Sequence, residues 1–114
     1  MMLSDMGEEK VSDVVAAWFS GEHTMFDACT EEPEIAWQAI LKILQSDLTD
    51  ELKALLAGGP LETLLSCHGA AFIDRIVEEA KSNPRFTDLL GGVWRQDMPE
   101  EIWRRVEKAR KSVW

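Results

Sequence analysis

Four side chains of this sequence belong to the types that ligate zinc or pair as nucleophile and base: Cys29, Cys67, His23 and His68. A structural zinc site needs four such ligands converging on a tetrahedron. Cys67 and His68 are adjacent, so on a helix their side chains diverge by about 100°. The interval from His23 to Cys29 fits no finger or ribbon spacing, and no metal site is expected. A cysteine nucleophile beside either histidine would need an orienting third group and an oxyanion pocket, and no local signature supplies them. The acid–base pairing that remains is His68 with Asp74 or Glu62, a hydrolase-type alternative that would require burial to tune the pKa values. His68 also has a plainer reading. Just before Gly69 it sits where a helix ends, and a protonated imidazole there favours the dipole and bonds free carbonyls. Gly91-Gly92 could pass for a phosphate-cradling loop, but such loops lead into a helix from a strand and carry a Lys or Ser/Thr ligand, whereas here the glycines close a helix. No cofactor is expected, and the chain is expected not to be an enzyme.

Residues suited to binding stand out more clearly than residues suited to catalysis. The chain has five Trp and no Tyr. Trp18 and Trp37 fall on apolar helical stripes and read as core, whereas Trp94 lies in a link beside Arg95. Trp94, Arg95 and Trp103 are the candidates for a surface patch, because aromatic residues and Arg are enriched at interface hot spots. Glu31, Glu32 and Glu34, with Asp27, form an acidic candidate that also serves as a helix start. Overall, 21 acidic against 12 basic residues give a net charge of −9 in a chain of 114. Phosphate recognition needs clustered Lys and Arg, so nucleic acid is not an expected partner. The excess is uneven: residues 1–66 hold thirteen acids and three bases, residues 67–114 eight acids and nine bases. The first part can therefore steer a basic protein by long-range attraction.

The elements that must position these residues are marked by proline just inside helix starts and glycine just past helix ends. About seven helical segments are expected, and no strand. Val11–Ser20 opens the series and ends at Gly21. After a link containing Glu22, His23 and Asp27, Thr30 caps a helix that begins near Pro33, and 34–45 is apolar over most of its circumference, which suits the centre of a fold. Thr49 caps a short helix stopped by Gly58-Gly59, and Pro60 restarts one that closes at His68-Gly69. Ala70–Ser82 is amphipathic. Asn83-Pro84 starts a helix ending at Gly91-Gly92, and Pro99-Glu100-Glu101 opens the last, with Arg104, Arg105, Lys108, Arg110 and Lys111 toward its end. Links of two to six residues imply one all-α domain of six to seven short helices packed as a compact bundle, with a short helical-hairpin, solenoid-like array as the alternative. Residues 1–10 read as a flexible N-terminal extension. No apolar run approaches the roughly 20 residues of a membrane helix, and the N-terminus lacks the basic start of a signal peptide, so a cytoplasmic chain is expected, each Cys a small buried hydrophobe without a disulfide.

The strings Glu32-Pro33-Glu34-Ile35-Ala36-Trp37, Gly59-Pro60-Leu61-Glu62-Thr63-Leu64-Leu65, His68-Gly69, Ile73-Asp74-Arg75 and Pro84-Arg85-Phe86, running on to Leu89-Leu90-Gly91-Gly92-Val93-Trp94, carry a resemblance. Over Val14–Glu107 the chain resembles a family of small bacterial all-helical proteins of unknown function, domain of unknown function 6869. The resemblance implies a fold class and a bacterial setting and no activity. Taken together, the residues point to a non-catalytic acidic helical protein that binds another protein, in the manner of an inhibitor or immunity protein. A homo-oligomer is the alternative in which a second copy completes an apolar helix face.

Overall fold

The computed structural model describes residues 5–95 and 98–110, which form seven α-helices and one π-helical turn, with no strand among the described residues. Helix α1 spans Asp5–Phe19, so residues 5–10, expected as an extension, are instead its opening turns. Val11, Val14 and Ala17 face the core at helical spacing. The helix stops at Gly21, whose φ of 80° is the left-handed conformation that glycine adopts at least cost. Gly21 N–H donates to the Trp18 carbonyl at 3.1 Å and Glu22 N–H to the Ala17 carbonyl at 3.0 Å, the two bonds of a Schellman cap.

Where the sequence reads as a link, the chain forms a second helix, α2, Thr24–Glu31. Met25, Ala28 and Cys29 are its buried stripe. Thr30 is consequently not the cap of the following helix: its hydroxyl donates back to the Asp27 carbonyl at 3.0 Å. Helix α3, Pro33–Leu44, opens on a first-turn proline as expected and buries Ala36, Trp37, Ala39, Ile40, Ile43 and Leu44.

Thr49 caps α4, Asp50–Leu56, by accepting from Leu52 N–H at 3.1 Å. Gly58-Gly59 do not end the helix. The chain continues through a π-helical turn, Ala57–Leu61, directly into α5, Glu62–Ser82. The turn falls at Pro60, which has no N–H to give back to the preceding turn and whose ring collides with the carbonyl four residues earlier; widening the helix relieves that collision. Burial of Leu56, Ala57, Pro60, Leu61, Leu64 and Leu65 outweighs the glycine propensity. At His68-Gly69 the helix is interrupted as the sequence leads one to expect: His68 has the non-helical φ of −136° and ψ of 26°, and α5 is two helical segments joined across a kink there. Gly69 lets the last helix approach closely: a Cβ there would lie 3.1 Å from Ile102 Cγ2.

Asn83 caps α6, Pro84–Leu90, accepting from Arg85 N–H at 3.2 Å, and α7, Glu100–Ala109, carries acids in its first turn and Lys108 in its last. Helix α3 packs against α1, α2, α5 and α6, the central place that its apolar circumference implies. With extents of 35 × 29 × 26 Å the chain is an all-α bundle and not an elongated array.

A bidentate ion pair joins α3 to α5 on the outside of this core. Arg75 on α5 meets the Glu34 carboxylate on α3 with both guanidinium nitrogens, at 2.5 and 2.9 Å, and its carbon lies 5.0 Å from the centre of the Phe72 ring and 5.6 Å from that of Trp37. The Arg75 hydrogen bonds hold the Glu34 carboxyl at about 2, below its ordinary 4.5. Because the folded-state value is lowered, the stabilisation is complete above pH 4.5 and is lost as pH falls toward 2. The pair is half exposed, which limits its worth to about 1 kcal/mol after solvent screening. Urea titrations across that acid range should show the wild type losing about that much more stability than Glu34→Gln; identical pH profiles would refute the assignment.

Candidate functional surface

The sequence-derived acid–base group does not converge on a site. His68 Nε2 donates to the Thr30 carbonyl at 2.8 Å, tying the kink of α5 to the end of α2. The carbonyl bonding expected of His68 is therefore present, but it serves another helix. Asp74 pairs with Arg105 at 2.7 Å, and the buried carboxylate of Glu62 accepts from Trp94 N–H at 3.2 Å. Cys29 is buried; its thiol donates to the Pro60 carbonyl at 3.3 Å and is pushed up to about 12 by burial, with the nearby Cys67 adding to the effect. Cys67 is exposed, contrary to the expectation that both thiols are core.

The acidic candidates separate in the same way. Glu34 is engaged by Arg75, and Glu32 pairs with Lys10 at 3.0 Å, so both fasten the fold, whereas Glu31 is exposed at the end of α2. Trp103 packs half-buried against the core under the Arg110 guanidinium, 4.9 Å from the ring centre. Arg95 is exposed, with its Nε donating to the Met98 carbonyl at 3.3 Å. Trp94 is 56% exposed, its backbone anchored through Glu62 to the start of α5.

A feature that sequence reasoning missed lies around the α1–α2 turn. The turn from α1 to α2 faces α4 and the π turn across an apolar groove of about 310 Å³. Met25 and Pro60 form buried parts of its lining, Trp18, Leu52 and Gly59 continue it, and Glu22, His23 and Thr63 are its polar members. Thr63 is turned to the backbone, its hydroxyl donating to the Gly59 carbonyl at 2.8 Å. Phe26 and Leu55, each 57% exposed, stand in the lining, and Phe19, 47% exposed, packs edge-to-face on Trp18 at 5.1 Å. Three of the four large exposed apolar side chains of the described residues thus gather at one place. Such clustering distinguishes an interaction surface from scattered exposure. The groove also includes the π turn, a backbone irregularity that recurs at functional sites. Its setting is acidic: from Val11 to Leu41 the sequence has six acids and no Lys or Arg.

The model of a family of unknown function, DUF6869, matches residues 7–113. The chain belongs to DUF6869. The match reaches beyond Val14–Glu107 at both ends and includes the first helix almost from its start. No curated protein and no solved structure matches, so for this DUF6869 protein the functional reading rests on its own residues. No helix among the described residues is long and apolar enough to cross a membrane.

Proposed function

We propose that this DUF6869 protein is a non-catalytic binding module that acts by occupying a surface of another protein, in the manner of an inhibitor or immunity protein. The observation that carries the reading is the exposure of Phe26 and Leu55 within the groove, with Phe19 packed on its lining Trp18, on the acidic part of the chain. A groove near the lower end of the roughly 300–1,000 Å³ of small-molecule sites would suffice for a ligand by itself. Here exposed aromatic and aliphatic side chains reach beyond it, which is the surface a protein covers. The engagement of His68, Glu62 and Asp74 in separate structural bonds favours this reading over the hydrolase alternative. Trp94 and Arg95 remain candidates for a second contact. An exposed, unpaired Cys67 thiol suits a reducing, cytoplasmic setting.

The protein used as bait in lysate of a native host tests this. Wild type should retain one protein in near-equal molar amount. The double variant Phe26→Ser/Leu55→Ser, with unchanged circular dichroism and melting temperature, should lose it. Equal retention by both baits would refute the groove as the binding surface, and retention of a second copy of this chain would replace the reading by self-association.

A further inference from the structure

Resting on the reading of the groove as a docking surface, we infer that its occupant is a basic amphipathic helix of a partner protein, seated with its apolar face on Trp18, Phe26, Leu52 and Leu55 and its Lys and Arg residues toward the acidic rim. Shape selects the helix. The groove is walled by α1, α2, α4, the π turn and α5 together with the α1–α2 turn, and the described residues offer no sheet edge for an extended peptide to join, which favours the helix-in-groove mode of recognition.

Charge selects the basic sequence. Glu22 lines the groove, Asp27 and Glu31 are exposed on α2 behind Phe26, and Asp50 and Glu51 are exposed at the start of α4 ahead of Leu52 and Leu55. Of the three bases of residues 1–66, Lys10 pairs with Glu32 and Lys53 with Asp88, each at 3.0 Å, and Lys42, which keeps its charge beside the neutral Ser12 hydroxyl at 3.2 Å, lies on α3 and lines no part of the groove. Glu22 in the lining and the exposed acids of α2 and α4 therefore give the groove and its two flanking helices a net negative field that attracts cationic side chains and repels anionic ones. The molecule provides its own contrast. A second apolar cleft, of about 340 Å³ between α5 and α7, is lined by Val77, Ala80 and Ala109 but carries Lys81, Arg105 and Lys108. Charge thus directs a basic helix to the first of these clefts and away from the second.

The probe is a synthetic peptide of about 14 residues, roughly four helical turns, with Leu on one face and Lys on the other. Its controls are a twin with Glu in place of Lys and a Lys/Ser peptide without the Leu face. Calorimetric titration of the full chain should show binding of the Leu/Lys peptide that weakens at least about tenfold in Phe26→Ala and in Leu55→Ala. It should also weaken several-fold on raising salt from about 0.05 to about 0.5 M, where screening shortens the reach of the rim. The Glu twin and the Lys/Ser peptide should show no binding that depends on Phe26. A Glu twin bound as tightly, and as dependent on Phe26, would overturn the basic occupant while leaving the groove a docking surface. Leu/Lys binding indifferent to both substitutions, or no binding, would overturn the inference outright. The bait experiment stands or falls independently of these outcomes.

Discussion

Trp37→Ala should cost the fold about 4 kcal/mol, the range expected when a large aromatic is removed from a packed core. Trp37 sits on the central helix α3, buried, with Phe86 edge-on at 5.5 Å, Phe72 at 6.1 Å and Arg75 over its ring. Truncation opens a cavity lined by groups on α3, α5 and α6. Domains of this size have only about 5–15 kcal/mol of net stability, so the melting temperature should fall by about 15 °C or more. Trp103→Ala, at a half-buried position on α7, should cost about half as much. Thermal and urea denaturation of both variants decides it. A loss below about 1 kcal/mol for Trp37→Ala would mean that α3 is not the centre of the core.

The largest effect on binding is expected at Phe26. Phe26→Ala should weaken the partner's affinity by about 30-fold or more, the scale of an interface hot spot, while leaving the melting temperature within about 2 °C, because an exposed side chain contributes little to the fold. Its ring lies over half exposed within the groove, so in a complex it would exchange water for partner atoms on most of its surface. Trp94→Ala serves as the comparison, since Trp94 is equally exposed but follows α6, outside the groove lining. Surface plasmon resonance with the captured partner measures both. If Trp94→Ala had the larger effect, the contact surface would be the Trp94–Arg95 link, the place the sequence first suggests.

The parts of the fold that were legible are those where local chemistry decides. Pro33, Thr49, Asn83-Pro84 and the acid-first arrangement of α7 start helices where the residues say, and Gly21 ends one in the left-handed conformation. Gly58-Gly59-Pro60 is a local stop signal overridden by burial on both sides, which produces a π turn in place of an end, whereas His68-Gly69 does interrupt its helix, at the kink within α5. Helix α2 was missed because its residues have modest helix propensity; the spacing of Met25, Ala28 and Cys29 at i, i+3 and i+4 was the available signal. The groove could not be read locally, because Trp18, Phe26, Leu55 and Pro60 come from four elements. A partial trace existed: Phe19 and Phe26 are surplus apolar residues off the buried stripes of Val11, Val14 and Ala17 on α1 and of Met25, Ala28 and Cys29 on α2. Conversely, Glu32 and Glu34 looked like a free acidic patch because their partners, Lys10 and Arg75, are distant in sequence.

The central claim, that the groove between the α1–α2 turn and α4 docks a protein, is tested most directly by site-specific photo-cross-linking in native-host lysate. A photoreactive phenylalanine analogue would be placed in turn at Phe26, at Leu55, at Trp94 and at Glu78, an exposed position on α5. The account predicts one adduct of the same mass from positions 26 and 55, abolished by excess unlabelled protein, and none from position 78. Adducts from position 78 or 94 with none from 26 or 55 would contradict it.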